Sequence, residues 1–419
     1  MNKQNLFPTK WSTAIFIAIV ILAGSVFAVG QTERVVYEFQ GGSYGYEPSG
    51  GLISDHLGNF YGATFLGGRG GRGKGTIFQL SRPAGQGGHW TESVLYSFTG
   101  GYDGAAPFGE LIFDHAGNLY GIGQFGGYEG GGVVFELKPQ GATWKESVIY
   151  NFSNSDSPVG GLAFDKAGNL YFATRQGGKN GEGSVIQLAP LQGGWAVTLL
   201  HSFRAGNGGT NPVSGPIVGN SGDLFGLTND GGQAGDFGHV YELKAPATRG
   251  GTWTARVLYA FQSVGDGLWP IGRLVFDREG NLYGATLDGG ASNSGNIFEL
   301  TRQGDSWSKT ELYAFCGQSN CTDGALPNGS LIFDGKGNLY GTTENGGNYC
   351  TVCGVVFELT PPATQGGTWT ETVIYSFDSL GNDPYEPMAG LTRGKYGRLW
   401  GTTVGGGAVQ GGTVFKILP

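Results

Sequence analysis

The chain has 419 residues and a formal net charge of −8, from 25 Lys and Arg against 33 Asp and Glu. No basic run interrupts that balance, which makes nucleic acid a poor partner. Gly supplies 83 residues, far above the ~7 % of an average protein. Aromatic residues make up 13 %, too many for a disordered chain, so the glycines read as turns between short buried segments.

Residues 1–28 stand apart. Lys3 and Lys10 precede the apolar run AIFIAIVILAG (Ala14 to Gly24), and SVFA follows with small residues at Val26 and Ala28. This is the pattern of a cleaved secretory signal peptide. An uncleaved anchor is the alternative, because Trp11 to Gly30 is long enough to span a bilayer. Cleavage is expected, leaving a mature domain over 31–419 that is secreted, extracellular or periplasmic. That domain has no membrane contact of its own.

From Gln31 onward the chain is repetitive, and the repeats decide its architecture. A phrase ending in aromatic-x-Phe occurs seven times: VVYEF (ending at Phe39), VLYSF (Phe98), VIYNF (Phe152), LLHSF (Phe203), VLYAF (Phe261), ELYAF (Phe315) and VIYSF (Phe377). The spacing is 51 to 62 residues. Six copies place a Trp eight residues before the Phe: Trp90, Trp144, Trp195, Trp253, Trp307 and Trp369. Residues two apart on a strand share a face, so the Trp, Val, Tyr and Phe of WTESVLYSF are expected to point the same way. Between these copies lie two strands around the turn D-x-x-G-N, as in ELIFDHAGNLYGIG (Glu110 to Gly123). Asp, Gly and Asn suit turn backbone angles. A third strand, typified by GVVFEL (Gly354 to Leu359), follows.

Named a to d outward from a central axis, these segments predict an all-β, seven-bladed β-propeller of four-stranded blades. The mature chain opens with QTERVVYEF, a strand d without its first three strands. It ends with GGTVFKILP, a strand c without a d. Joined, the two ends complete the last blade and remove a free sheet edge.

Up-and-down connectivity puts the a–b turns on one face. There His56, His115, Lys166 and Arg278 share one slot, which indicates solvated turns, not a catalytic imidazole. His201 and His239 likewise take positions that other repeats fill with unremarkable residues, so no Ser-His-Asp set is expected. The b–c and d–a loops share the opposite face. Each b–c loop keeps a Gly pair, and no helix follows it to hold phosphate. The two residues before that pair vary: Gln124-Phe125, Arg175-Gln176, Asn229-Asp230, Leu287-Asp288 and Glu344-Asn345 among them. Recognition is expected there, with Arg175, Asp230, Asp288, Glu344 and Asn345 as ligand contacts and Trp269 of the d–a loop GDGLWP as a stacking surface. The d–a loops also carry Asp103, Asp266 and Asp323. Carboxylates suit Ca²⁺, but Asp-Gly before a Pro is ordinary turn chemistry. No cofactor is expected, with Ca²⁺ as the alternative.

All four Cys fall in one repeat, in FCGQSNC (Cys316, Cys321) and YCTVC (Cys350, Cys353). Two local disulfides, 316–321 and 350–353, are expected in an exported protein. A Cys₄ zinc site is the competing reading.

The phrases GNLYGTTENGG…CGVVFEL, GNLYGATLDGG…GNIFEL and GRLWGTTVGGG…GGTVFKI resemble the Gloeo-Verruco (GloVer) tandem repeat of exported bacterial proteins. The resemblance covers almost the whole chain after residue 28. It implies a propeller-like fold and an extracellular location, and it names no activity. The D-x-x-G-N-L-Y hairpin is also similar to hairpins of NHL-type propellers, virginiamycin B lyases and gluconolactonases, without their catalytic residues.

Two functions compete on the sequence. The first is a monomeric, non-catalytic binding or scaffold propeller for a glycan or protein. The second is a secreted lyase or hydrolase acting on a glycan or lactone through a metal on the b–c/d–a face, which needs converging carboxylates and His.

Overall fold

The structure, a computed structural model, describes residues 33–418 apart from 70–72, 86–87, 207, 232–236, 249, 350, 365 and 381–382. The expected signal peptide lies outside the described residues. Among the described residues no helix is long and apolar enough to cross a membrane.

Seven antiparallel sheets make the seven blades of a β-propeller. Strands a to d of blade 1 are Tyr46–Pro48 with Ile53–Ser54, Phe60–Leu66, Thr76–Ser81 and Thr91–Ser97. Blade 2 has Ala105–Phe113, Leu119–Phe125, Val133–Gln140 and Thr143–Asn151. Blade 3 has Ala163–Phe164, Leu170–Thr174, Ser184–Leu191 and Gly194–Ser202. Blade 4 has Thr210–Pro212 with Ile217–Val218, Leu224–Asp230, His239–Lys244 and Thr254–Ala260. Blade 5 has Leu268–Phe276, Leu282–Asp288, Asn296–Gln303 and Ser306–Ala314. Blade 6 has Ala325–Pro327 with Ile332–Phe333, Leu339–Asn345, Val355–Thr360 and Thr370–Ser376. In blade 7, strands a to c are Thr392–Arg393, Leu399–Thr403 and Thr413–Ile417. Its strand d is N-terminal: Glu33–Glu38 pairs antiparallel with Thr413–Ile417, Val35 opposite Phe415. The ring closes as the complementary ends predict.

One expectation fails. Every c–d pair carries a bulge, for example between Val148 and Tyr150. An extra residue on one strand breaks the period of two. In blade 2, Trp144 and Val148 therefore pack toward blade 1, in one cluster with Tyr96 and Phe98. Tyr150 and Phe152 pack toward blade 3, beside Trp195. The Trp-Val and Tyr-Phe halves of strand d thus serve two different neighbours. Trp144 meets Tyr61 at 6.4 Å, Trp195 meets Tyr120 at 6.2 Å and Trp369 meets Tyr283 at 6.3 Å, each across a blade boundary. The strand-d Phe residues are at most 2 % exposed, and burying each contributes about 2–3 kcal/mol.

The Gly of NLYG has a packing cause. A Cβ on Gly62 would lie 2.6 Å from the ring of Phe78, its partner on strand c. The same conflict holds for Gly121 with Phe135 and Gly341 with Phe357. The D-x-x-G-N turn is a hydrogen-bonded lock. Asp114 Oδ1 accepts the N–H groups of Ala116 and Asn118, and Oδ2 accepts Asn118 Nδ2 and the Tyr120 hydroxyl. His56 and His115 are exposed in these turns. The b–c Gly pair ties two loops together. Its second N–H donates to the d–a loop, from Gly127 to Gly101 and from Gly347 to Cys321.

Cys316 and Cys321 form a disulfide, so the Cys₄ zinc reading is dropped. Cys353 is buried and disulfide-bonded, and Cys350 lies outside the described residues.

Candidate functional site

Strand a begins earlier than the a–b hairpin implies, and its first half lines the axis. Seven copies of one phrase do this: PSGGL, PFGEL, PVGGL, PVSGP, PIGRL, PNGSL and PMAGL, starting at Pro48, Pro107, Pro158, Pro212, Pro270, Pro327 and Pro387. In six blades the residue before the Pro holds a left-handed backbone, with φ of 49° to 57° at Glu47, Ala106, Asn211, Trp269, Leu326 and Glu386. Such angles are strained for non-Gly residues. They aim the N–H at the neighbouring blade: Ala106 donates to Lys74 O, Asn211 to Glu182 O and Leu326 to Ser294 O.

The phrases enclose an axial cavity of about 590 Å³. The third and fourth residues of each phrase are small except twice: Glu110 replaces a Gly in blade 2 and Arg273 replaces one in blade 5. These two meet. Arg273 Nη1 lies 3.6 Å from Glu110 Oε2. Arg273 Nη2 donates to Leu162 O of blade 3 and Pro216 O of blade 4, both at 3.2 Å. One side chain of blade 5 thereby crosses the axis and joins three other blades. A smaller side recess of about 140 Å³, with Met388 and Val404 in its wall, adjoins blades 7 and 1.

Of the expected contacts, only Arg175 lines the axial cavity. Glu344 stands one residue behind it, accepting Nδ2 of the lining Asn328 at 3.0 Å. Asp230 likewise sits behind Asn229, accepting its Nδ2 at 3.1 Å, and also binds Asn211. Asp288 accepts the N–H of Gly289, and the Asn345 carbonyl accepts the Thr343 hydroxyl. These last two are local contacts outside the cavity. Trp269 belongs to strand a, not to a loop, and is 40 % exposed away from the cavity lining. Glu386 has its carboxyl raised by burial and by the nearby Glu344. Among the described residues no three His, Cys, Asp or Glu side chains are placed to hold a metal ion.

The repeat that builds this site matches the Gloeobacter/Verrucomicrobia repeat over residues 22–215 and 177–415, nearly the whole chain. The chain belongs to the Gloeobacter/Verrucomicrobia repeat family. Against the curated proteins, this repeat protein has no match. Among solved structures it is similar to a Bacteroides uniformis protein provisionally named a 6-phosphogluconolactonase, with 13 % identity, a TM-score of 0.51, and 88 % and 94 % of the two chains covered. A Bacteroides fragilis protein, provisionally named likewise, gives 14 %, 0.50, 85 % and 87 %. At such identity the likeness is one of fold.

Several lining residues of the repeat protein escaped the sequence reading. Gln124, Gln176 and Asn229 belong to the variable pairs, the last two beside the charged Arg175 and Asp230. Glu110, Arg273 and Asn328 lay in the P-x-G-x-L phrase. Its signal was a column of small residues broken only by one acid and one base.

Proposed function

We propose that this protein is a secreted, monomeric, non-catalytic binding propeller that takes a small polar ligand, or the end of a glycan, into its axial cavity. One observation carries the reading. A cavity of about 590 Å³ lies within the range of about 300–1,000 Å³ typical of small-molecule sites. Apolar Phe108, Ile271 and Met388 share its lining with the polar Gln124, Gln176 and Asn328. That mixture of apolar wall and few convergent polar groups is what a binding pocket requires. The test is a glycan and sugar panel on the chain without residues 1–28, read by thermal shift and calorimetry. Met388→Trp, at a lining residue that is 41 % exposed, should abolish binding of any ligand found. A ligand that binds Met388→Trp unchanged would sink the cavity reading.

A second reading, hydrolysis of a glycan or lactone, has one observation in its favour. The carboxyl of Glu386, raised by burial and by the nearby Glu344, suits a proton donor. Lactone turnover that falls about 100-fold in Glu386→Gln would support it. Absence of turnover in the unaltered protein would end it.

A further inference from the structure

The polar groups of the axial cavity are unevenly distributed, and their hydrogen bonds show what each offers. On blade 3 the lining presents donors. Arg175 is exposed, and among the described residues it has no ion-pair partner. Gln176 Oε1 accepts the Ser157 hydroxyl at 3.3 Å, so its free group is the Nε2 donor. On blades 4 and 6 the lining presents acceptors. Asn229 and Asn328 each commit Nδ2 to a carboxylate, Asp230 and Glu344. An ionised carboxylate only accepts, so both amides are oriented and each keeps Oδ1 for a ligand. The charges complete the picture. Glu110 and Arg273 neutralise each other, and no other carboxylate is in the lining. Of the charged residues in the lining, Arg175 alone has no ion-pair partner among the described residues.

We infer that the ligand of this cavity is an acidic sugar, a uronate or aldonate, free or at the end of a glycan. The inference rests on the cavity being the binding site. The carboxylate pairs with Arg175, whose guanidinium fork matches it in two hydrogen bonds, with Gln176 beside it. Sugar hydroxyls donate to Asn229 Oδ1 and Asn328 Oδ1. The apolar face of the sugar lies against Phe108 and Met388. A neutral sugar would leave Arg175 without a partner. An ammonium-bearing ligand would find no free carboxylate in the lining itself, where Glu110 is held by Arg273.

Calorimetry with D-galacturonate and D-gluconate, and with D-galactose as the neutral control, tests this. D-galacturonate or D-gluconate should bind more tightly than D-galactose. Arg175→Ala, a change at an exposed residue that folding tolerates, should weaken acid binding by roughly 10-fold to 100-fold, the value of a charged hydrogen-bonded pair. Arg175→Lys should retain part of the affinity. Galactose affinity should not change in either variant. Equal binding of acid and neutral sugar, unchanged acid binding in Arg175→Ala, or no acid binding tighter than about 1 mM would overturn the inference. If galactose still binds and Met388→Trp abolishes it, the cavity reading survives that failure. If Met388→Trp leaves every sugar bound, the cavity reading falls as well.

Discussion

Glu146 and Lys309 occupy the same slot, two residues after the strand-d Trp, and meet the same neighbour: the Asp of the preceding d–a loop. Lys309 Nζ binds Asp266 Oδ1 at 2.8 Å, and the Tyr259 hydroxyl shares that carboxylate. Glu146 faces Asp103, Glu371 faces Asp323 and Glu33 faces Asp383, so acid meets acid. Burial, then the adjacent Asp, pushes each of these Glu carboxyls up to about 7. Glu92, which accepts the Tyr37 hydroxyl at 2.6 Å, is pushed up to about 7 by burial. A folded-state value above the unfolded 4.5 means the folded ring holds more protons through that window. Stability is then fully present at its acidic end and is lost as pH rises through about 7. The melting temperature should fall between pH 5 and pH 8. Glu146→Gln with Glu371→Gln should flatten that fall in a thermal-melt series, and an unchanged slope would show these carboxyls to be uninvolved. At the equivalent seam, Lys309→Ala strands Asp266 in a largely buried site. Urea unfolding should show a loss of about 3–5 kcal/mol, the cost of breaking a buried pair.

At the scale of the strand, blade 3 departs from its siblings in a compensated way. Where five blades pair a strand-b Gly with a strand-c Phe and blade 4 pairs Gly226 with Tyr241, blade 3 pairs Phe172 with Ile186. The bulky ring has moved from one strand to its neighbour, and Phe172 fills the space from the other side, 5.4 Å from Phe152. Phe172→Gly should cost at least the ~3–5 kcal/mol of a large-to-small core change. Ile186→Phe alone should cost about 1–3 kcal/mol by overpacking. The double variant should recover most of the loss, with strongly non-additive unfolding energies; simple additivity would refute the exchange. The strand is also where the sequence reading went furthest astray. Period-two counting placed Trp, Val, Tyr and Phe on one face. The bulge that separates them has no composition signal in WTESVLYSF, because any residue can be the extra one. The a–b lock, by contrast, was legible, because Asp, Gly and Asn act on their own backbone within five residues.

For the whole molecule, closure depends on seven N-terminal residues. Glu33–Glu38 covers the edge of Thr413–Ile417, and Phe39 is fully buried against Phe78 of blade 1. A chain beginning at Gln40 should expose an unpaired strand. It should lose its single cooperative unfolding transition and aggregate. Moving residues 33–39 to follow Leu418 by circular permutation should restore the transition in calorimetry. Equal stability of the shortened chain would show that the ring does not need its seam. The sequence by itself determined the repeat number, the four strands of each blade, the turns and the complementary ends, because each is written in local spacing and composition. Only the tertiary structure decided what stands at the axis. Glu110 and Arg273 belong to different blades, and nothing near either of them in the chain marks the other as a partner. They meet because ring geometry brings the first half of every strand a to the same axis, where a side chain's neighbours come from other blades.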